Sequence, residues 1–126
     1  MDIKEGKIVS FFIVEDDAFQ AFILEKMITS MGYAVKGKSS SGEEAVHLAI
    51  QLKPDIILMD ISLEGVMDGI EAAIEIQEQI SVKIIYITGN SDNHHRERAN
   101  ETDFSDYLIK PVTKDIIIQS LQKLDL

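Results

Sequence analysis

The chain has no cysteine. That excludes a disulfide framework, a thiolate metal site and a cysteine nucleophile. Two prolines and seven glycines leave little room for a linker, and there is no low-complexity segment or internal repeat. Long apolar runs are also missing. The longest are a few residues, against the roughly 20 that a membrane-spanning helix needs. The N-terminus, MDIKEGKIVSFF, lacks the apolar core and small-residue cleavage site of a signal peptide. A cytoplasmic location is therefore expected, with no membrane partner. Positive charge is scarce: 12 Lys and Arg face 22 Asp and Glu, for a net charge of −10. Such a surface repels nucleic acid and anionic membranes, so no direct nucleic-acid contact is expected.

What is present is an apolar content of 45% in 126 residues, enough for one domain with a substantial core and too little for two. Short β-rich runs alternate with helical patterns. Strands are predicted over Lys7–Val14, Ala34–Ser39, Asp55–Met59, Lys83–Thr88 and Asp106–Ile109. Between them, helices are predicted over Ala18–Met31, from a Ser41 cap to Leu52, over Asp68–Ile80, over the polar Ser91–Thr102, and over Lys114–Leu124. Phe19, Phe22, Ile23, Met27 and Met31 supply the stripe expected to face inward from the first helix. Glu44, three residues after Ser41, suits a capping box. Five alternations imply an α/β fold, a doubly wound five-stranded parallel sheet of flavodoxin-like order 2-1-3-4-5 with helices on both faces.

Such sheets bind ligands beyond the carboxyl ends of their strands, where the order reverses. Strand 1 ends in Glu15 and Asp16, strand 3 in Asp60, strand 4 in Thr88, and strand 5 in Lys110 and Pro111. Like charges about 4–5 Å apart cost roughly 4 kcal/mol per contact at an effective dielectric near 20. A divalent cation relieves that cost. Few carboxylates and retained waters suit Mg2+, with Mn2+ as a substitute. Thr88 offers a hydroxyl and Lys110 a compact positive charge for phosphate oxygens. Metal, anion clamp and carboxylate acceptor are the parts of a phosphoryl-transfer site. Asp17 falls at a helix start, where a carboxylate caps free N–H groups. Asp68 is expected to do the same, and His47, His94 and His95 to lie at the surface.

Glu15 and Asp16 after a buried strand, Asp60 ending DIILMD, Thr88–Gly89 ending KIIYITG, and Lys110–Pro111 in YLIKPV resemble a response-regulator receiver domain of the chemotaxis-regulator kind. The likeness runs from about Ile8 to Leu124. It implies a single receiver domain over residues 1–126, with its core at about 7–124. By the resemblance, Asp60 is the phosphoacceptor, taking a phosphoryl group from a phosphohistidine of a sensor kinase or phosphotransfer protein. Glu15, Asp16, Asp60 and the backbone carbonyl of Ser62 would hold Mg2+, while Thr88 and Lys110 would bind phosphoryl oxygens. Thr88 and Tyr107 would be the switch pair, acting on the face of helix 4, strand 5 and helix 5. That face would serve an output domain or protein, or pair two copies as a homodimer. The Lys110–Pro111 bond is expected to be cis. Ser62 and Asn90, each two residues beyond Asp60 and Thr88, would form the rim that sets phosphoryl lifetime.

The chain departs from the family pattern in two places. The loop after Asp60, ISLEGVMDG, has no Met-Pro pair and is one residue longer than the commonest form. Thr102, Asp103, Phe104 and Ser105 replace the usual Gly-Ala before the last strand. Three rival readings are weaker. A haloacid-dehalogenase-type phosphatase needs an acid two residues after its nucleophile, where this chain has Ser62. A flavodoxin needs a hydroxyl- and glycine-rich phosphate loop where this chain has three acids. A degenerate receiver used only for binding would not need the complete set of acids, Thr88 and Lys110. The expected protein is a phosphorylation switch rather than an enzyme, standing alone or as part of a longer regulator.

Overall fold

The computed structural model describes residues 8–89 and 93–124. The elements in chain order are β1 (Ser10–Val14), α1 (Ala18–Ser30), β2 (Ala34–Ser39), α2 (Gly42–Leu52), β3 (Ile56–Asp60), α3 (Gly69–Gln79), β4 (Lys83–Thr88), α4 (Asn93–Ala99), β5 (Asp106–Ile109) and α5 (Lys114–Gln122). The five strands are parallel in the order β2-β1-β3-β4-β5, as expected. Lys7, Asn90 and Ser91, which the sequence reading drew on, lie outside the described residues.

β1, β3 and β4 are apolar at almost every position because both of their faces are covered. Strand alternation divides the core in two. Phe12, Val14, Ile57, Met59 and Tyr86 pack with Ala45 and Ala49 of α2 and with Ile70, Ala73 and Ile76 of α3. Phe11, Ile13, Leu58 and Ile87 pack on the other side, with Ala21, Leu24 and Ile28 of α1 and with Ile117 and Leu121 of α5. Each buried Leu or Ile is worth about 1.5–3 kcal/mol. α4 contributes one buried apolar side chain, Ala99, to the α2/α3 side.

The expectations for α1 and β3 need correction. The buried stripe of α1 is Ala21, Leu24 and Ile28, while Phe19 is 70% exposed and Phe22 49%. α1 carries apolar residues around its circumference, so periodicity could not choose the inward face. β3 starts at Ile56 rather than Asp55 and includes Asp60. The Asp55 carboxylate instead accepts bonds from the Ser10 N–H (2.8 Å) and hydroxyl (3.1 Å), clipping the starts of β1 and β3 together.

The helix starts follow their caps. Asp17 accepts from the N–H groups of Phe19 and Gln20, as expected. Ser41 accepts from Glu44 N–H, but the Glu44 carboxylate takes the Ser39 hydroxyl (2.9 Å) and does not close the capping box. That box forms instead at α3, between Asp68 and Glu71. α2 ends where Lys53 adopts a left-handed conformation ahead of Pro54.

Candidate functional site

Parallel register brings the chemistry to one sheet edge. Val14 pairs with Met59, Asp60 with Ile87, and Thr88 with Ile109, so the residues that end these strands come out side by side. Glu15, Asp60 and Thr88 are buried, and Asp16 is half-buried. Carboxylate oxygens of Glu15, Asp16 and Asp60 lie within 4.8 Å of one another. Lys110 Nζ donates to Glu15 Oε1 at 2.9 Å and to Asp60 Oδ2 at 3.3 Å. The Lys110–Pro111 peptide bond is cis, as expected.

Backbone donors fix the acids. Ser62 N–H reaches Asp60 Oδ1 (3.0 Å) and Asp17 N–H reaches Glu15 Oε2 (3.1 Å). The β3–α3 loop is tied to the edge through Ile61 N–H to the Ile87 carbonyl and Gly69 N–H to the Ile61 carbonyl. Gly69 is there because of close packing: a Cβ on it would overlap the carbonyl oxygen of Asp60. Gly65 sits at φ +108°, which lets the longer loop turn, and Glu64 N–H points to Asp16 Oδ2 at 3.4 Å.

The charge balance is strained. Burial pushes the Glu15 carboxyl up to about 7, with the Asp60 charge adding to the rise and the Lys110 hydrogen bond opposing it. Burial alone would lower Lys110, but its bond to Glu15 and the nearby Asp60 charge hold it above its ordinary value. Two carboxylates, Glu15 and Asp60, thus share one ammonium, with Asp16 beside them. The donor set fits a hard divalent ion: oxygen ligands only, few in number, converging on one point.

Outside this cluster, the expectations divide. Tyr107 is 8% exposed, with its ring edge-on to Tyr86 and Phe104 and the Arg96 guanidinium 4.8 Å above it. Ser62 is exposed at the rim. His47 and His94 are exposed as expected, whereas His95 is half-buried. Three features were missed. Arg98 Nη1 donates to Asp68 Oδ2 at 2.7 Å, joining α4 to the cap of α3. Burial would raise the Asp68 carboxyl, but the Arg98 bond and charge together with the backbone N–H groups of Glu71 and Ile70 hold it below the usual range. The second is the close approach of Gly69. The third is a cleft of about 520 Å3 beside the site, running from Glu15, Gly89, Lys110 and Pro111 along Phe19, Ile23 and Met27 of α1.

A five-stranded sheet with acids, Thr88 and Lys110 at its switch-point edge defines a receiver, and sequence comparison agrees. Residues 11–122 match the response regulator receiver domain family, so the chain belongs to it. It is 34% identical to the transcriptional regulatory protein PdtaR of Mycobacterium tuberculosis, over 87% of this chain and 53% of that protein. It is 35% identical to the chemotaxis protein CheY of Thermotoga maritima, over 88% of this chain and 92% of that one. The chain spans about half the length of curated relatives such as PdtaR. Among solved structures it resembles the receiver domain of a sensor histidine kinase from Pseudomonas aeruginosa, which has a magnesium ion coordinated in its active site cleft. That match has 33% identity and a TM-score of 0.82, covering 93% of this chain and 97% of the other.

Proposed function

We propose that Asp60 is the phosphoacceptor of a two-component signalling switch. The observation that carries this reading is the convergence of Lys110 Nζ on both Glu15 and Asp60. An ammonium between two acids is placed to follow one of them onto a phosphoryl group. An Asp60 carboxylate oxygen attacks phosphorus, the P–N bond of a phosphohistidine breaks, and the departing imidazole keeps the electron pair. Lys110 then pairs with a phosphoryl oxygen, and the Thr88 hydroxyl donates to another. Glu15, Asp16 and Asp60, with the Ser62 carbonyl, would hold Mg2+, which when bound offsets the charge developing on the phosphoryl oxygens. Ser62, exposed at the rim, governs the access of water and so the lifetime of the acyl phosphate, and Asn90, two positions after Thr88 in the sequence, is proposed to share that role.

The donor is a histidine kinase or phosphotransfer protein. The exposed Phe19 and Phe22 and the cleft beside Lys110 offer an apolar footing next to Asp60 for such a partner. The output side is the α4, β5 and α5 face, where the part-exposed Ile109 could also support a homodimer. Among the described residues no helix is long and apolar enough to cross a membrane, and we place the domain, over residues 1–126, in the cytoplasm. A phosphatase of the dehalogenase type is disfavoured because Ser62 cannot act as its general acid. The test is incubation with Mg2+ and acetyl phosphate followed by intact mass. Wild type should gain one phosphoryl group and Asp60→Ala none; an equal gain in the variant would overturn the reading.

A further inference from the structure

α4 is held by little apolar contact. Among its described side chains, residues 94–99, Ala99 alone is buried, and His94, Arg96 and Glu97 are exposed. Polar ties do the rest. At its end, the Thr102 hydroxyl donates to the Ala99 carbonyl (2.7 Å) and lies 2.8 Å from the Tyr86 hydroxyl. In its last turn, Arg98 reaches across to Asp68 with Nη1 at 2.7 Å and Nη2 at 3.5 Å from the two carboxylate oxygens. Asp68 already has a job as the cap of α3, accepting from Glu71 N–H at 2.9 Å. The next residue, Gly69, lies against the carbonyl of Asp60 so closely that a Cβ would not fit. A continuous line of contacts therefore runs from Asp60 through Gly69, Asp68 and Arg98 to α4, and on through Arg96 to the ring of Tyr107.

We propose that the Asp68–Arg98 pair is a strut that holds α4 in the arrangement belonging to unphosphorylated Asp60. In this arrangement Lys110 is bonded to Asp60 itself. Phosphorylation moves the groups around Asp60, and the strut carries that movement to α4 and resists it. Arg98 is thus a positioning residue acting through Asp68, and it does not touch the reacting atoms. The inference rests on the reading of Asp60 as phosphoacceptor.

Asp68→Asn and Arg98→Gln separate the strut from the cap, because asparagine still caps a helix well. Each variant should be phosphorylated by acetyl phosphate about two- to fivefold faster than wild type, the range by which a part-exposed ion pair shifts an equilibrium. The double variant should be no faster than either single, because both remove one interaction. Amides of residues 93–101 should exchange faster in the unphosphorylated variants than in wild type. Arg98→Lys, which keeps the charge but loses the fork, should fall between. Lower melting temperatures with unchanged phosphorylation rates would reduce the pair to a structural contact and overturn the proposal. Rate increases that multiply in the double variant would also overturn it. If wild type itself takes up no phosphoryl group, the reading of Asp60 fails, and the strut as a signalling element fails with it.

Discussion

Replacing Glu15 by glutamine should stabilise the metal-free protein at neutral and alkaline pH. Glu15 is 3% exposed, its carboxyl is raised from 4.5 to about 7, first by burial, and it shares Lys110 with Asp60. The sign follows from linkage. A carboxyl raised on folding binds a proton more tightly in the native state, so its favourable contribution is complete below about 4.5. That contribution is lost as pH rises through about 7. Each pKa unit corresponds to about 1.4 kcal/mol, so the full rise bounds the loss at about 3 kcal/mol. Water at the mouth of the cleft reduces this to about 1–2 kcal/mol. Urea unfolding followed by circular dichroism in chelator, from pH 5 to pH 8, should show Glu15→Gln gaining on wild type as pH rises. Mg2+ should narrow the difference, because an ion at ten times its dissociation constant adds about 1.4 kcal/mol to whichever protein binds it. Wild type should bind it better. A difference independent of pH, or a variant less stable than wild type in chelator at pH 8, would refute the electrostatic argument.

Gly69→Ala should cost about 3 kcal/mol in unfolding experiments and slow phosphorylation, because its new methyl must displace the Asp60 backbone. Ile28→Ala, at a fully buried position, should cost about 2–5 kcal/mol, whereas Phe19→Ser should change stability by less than about 1 kcal/mol. Phe19→Ser should nonetheless slow phosphotransfer from a protein donor while sparing acetyl phosphate, and stopped-flow comparison of the two donors checks this. Amides of residues 93–101 should exchange faster than those of α1 and α5, since α4 buries one alanine; core-like protection there would contradict the weak anchoring.

Much of this was legible in the chain. The strands announce themselves because both faces of β1, β3 and β4 are covered, so the apolar runs are short and unbroken. The site follows from the same fact: Glu15, Asp16, Asp60, Thr88 and Lys110 are the first polar groups after such runs, and a parallel sheet lines up those ends. What was hidden depends on contacts rather than spacing. α1 is apolar around its circumference, so its sequence could not say that Leu24 and Ile28 face in while Phe19 faces out. Asp68 and Arg98 are 30 positions apart, and no local pattern pairs them. Gly69 looks like an ordinary helix start until the Asp60 carbonyl is found against it. Glu44 has the spacing of a capping-box partner, yet the Ser39 hydroxyl competes for it.

The central claim is that a phosphoryl group is carried by Asp60, as an acyl phosphate, in a reaction that needs a divalent cation. Borohydride reduces an acyl phosphate to an alcohol and so marks the carboxylate that carried it. After treatment with acetyl phosphate and Mg2+, reduction and peptide mapping should find homoserine at position 60, with none when chelator replaces the metal. Homoserine at another aspartate, or equal labelling of position 60 in chelator, would contradict the account.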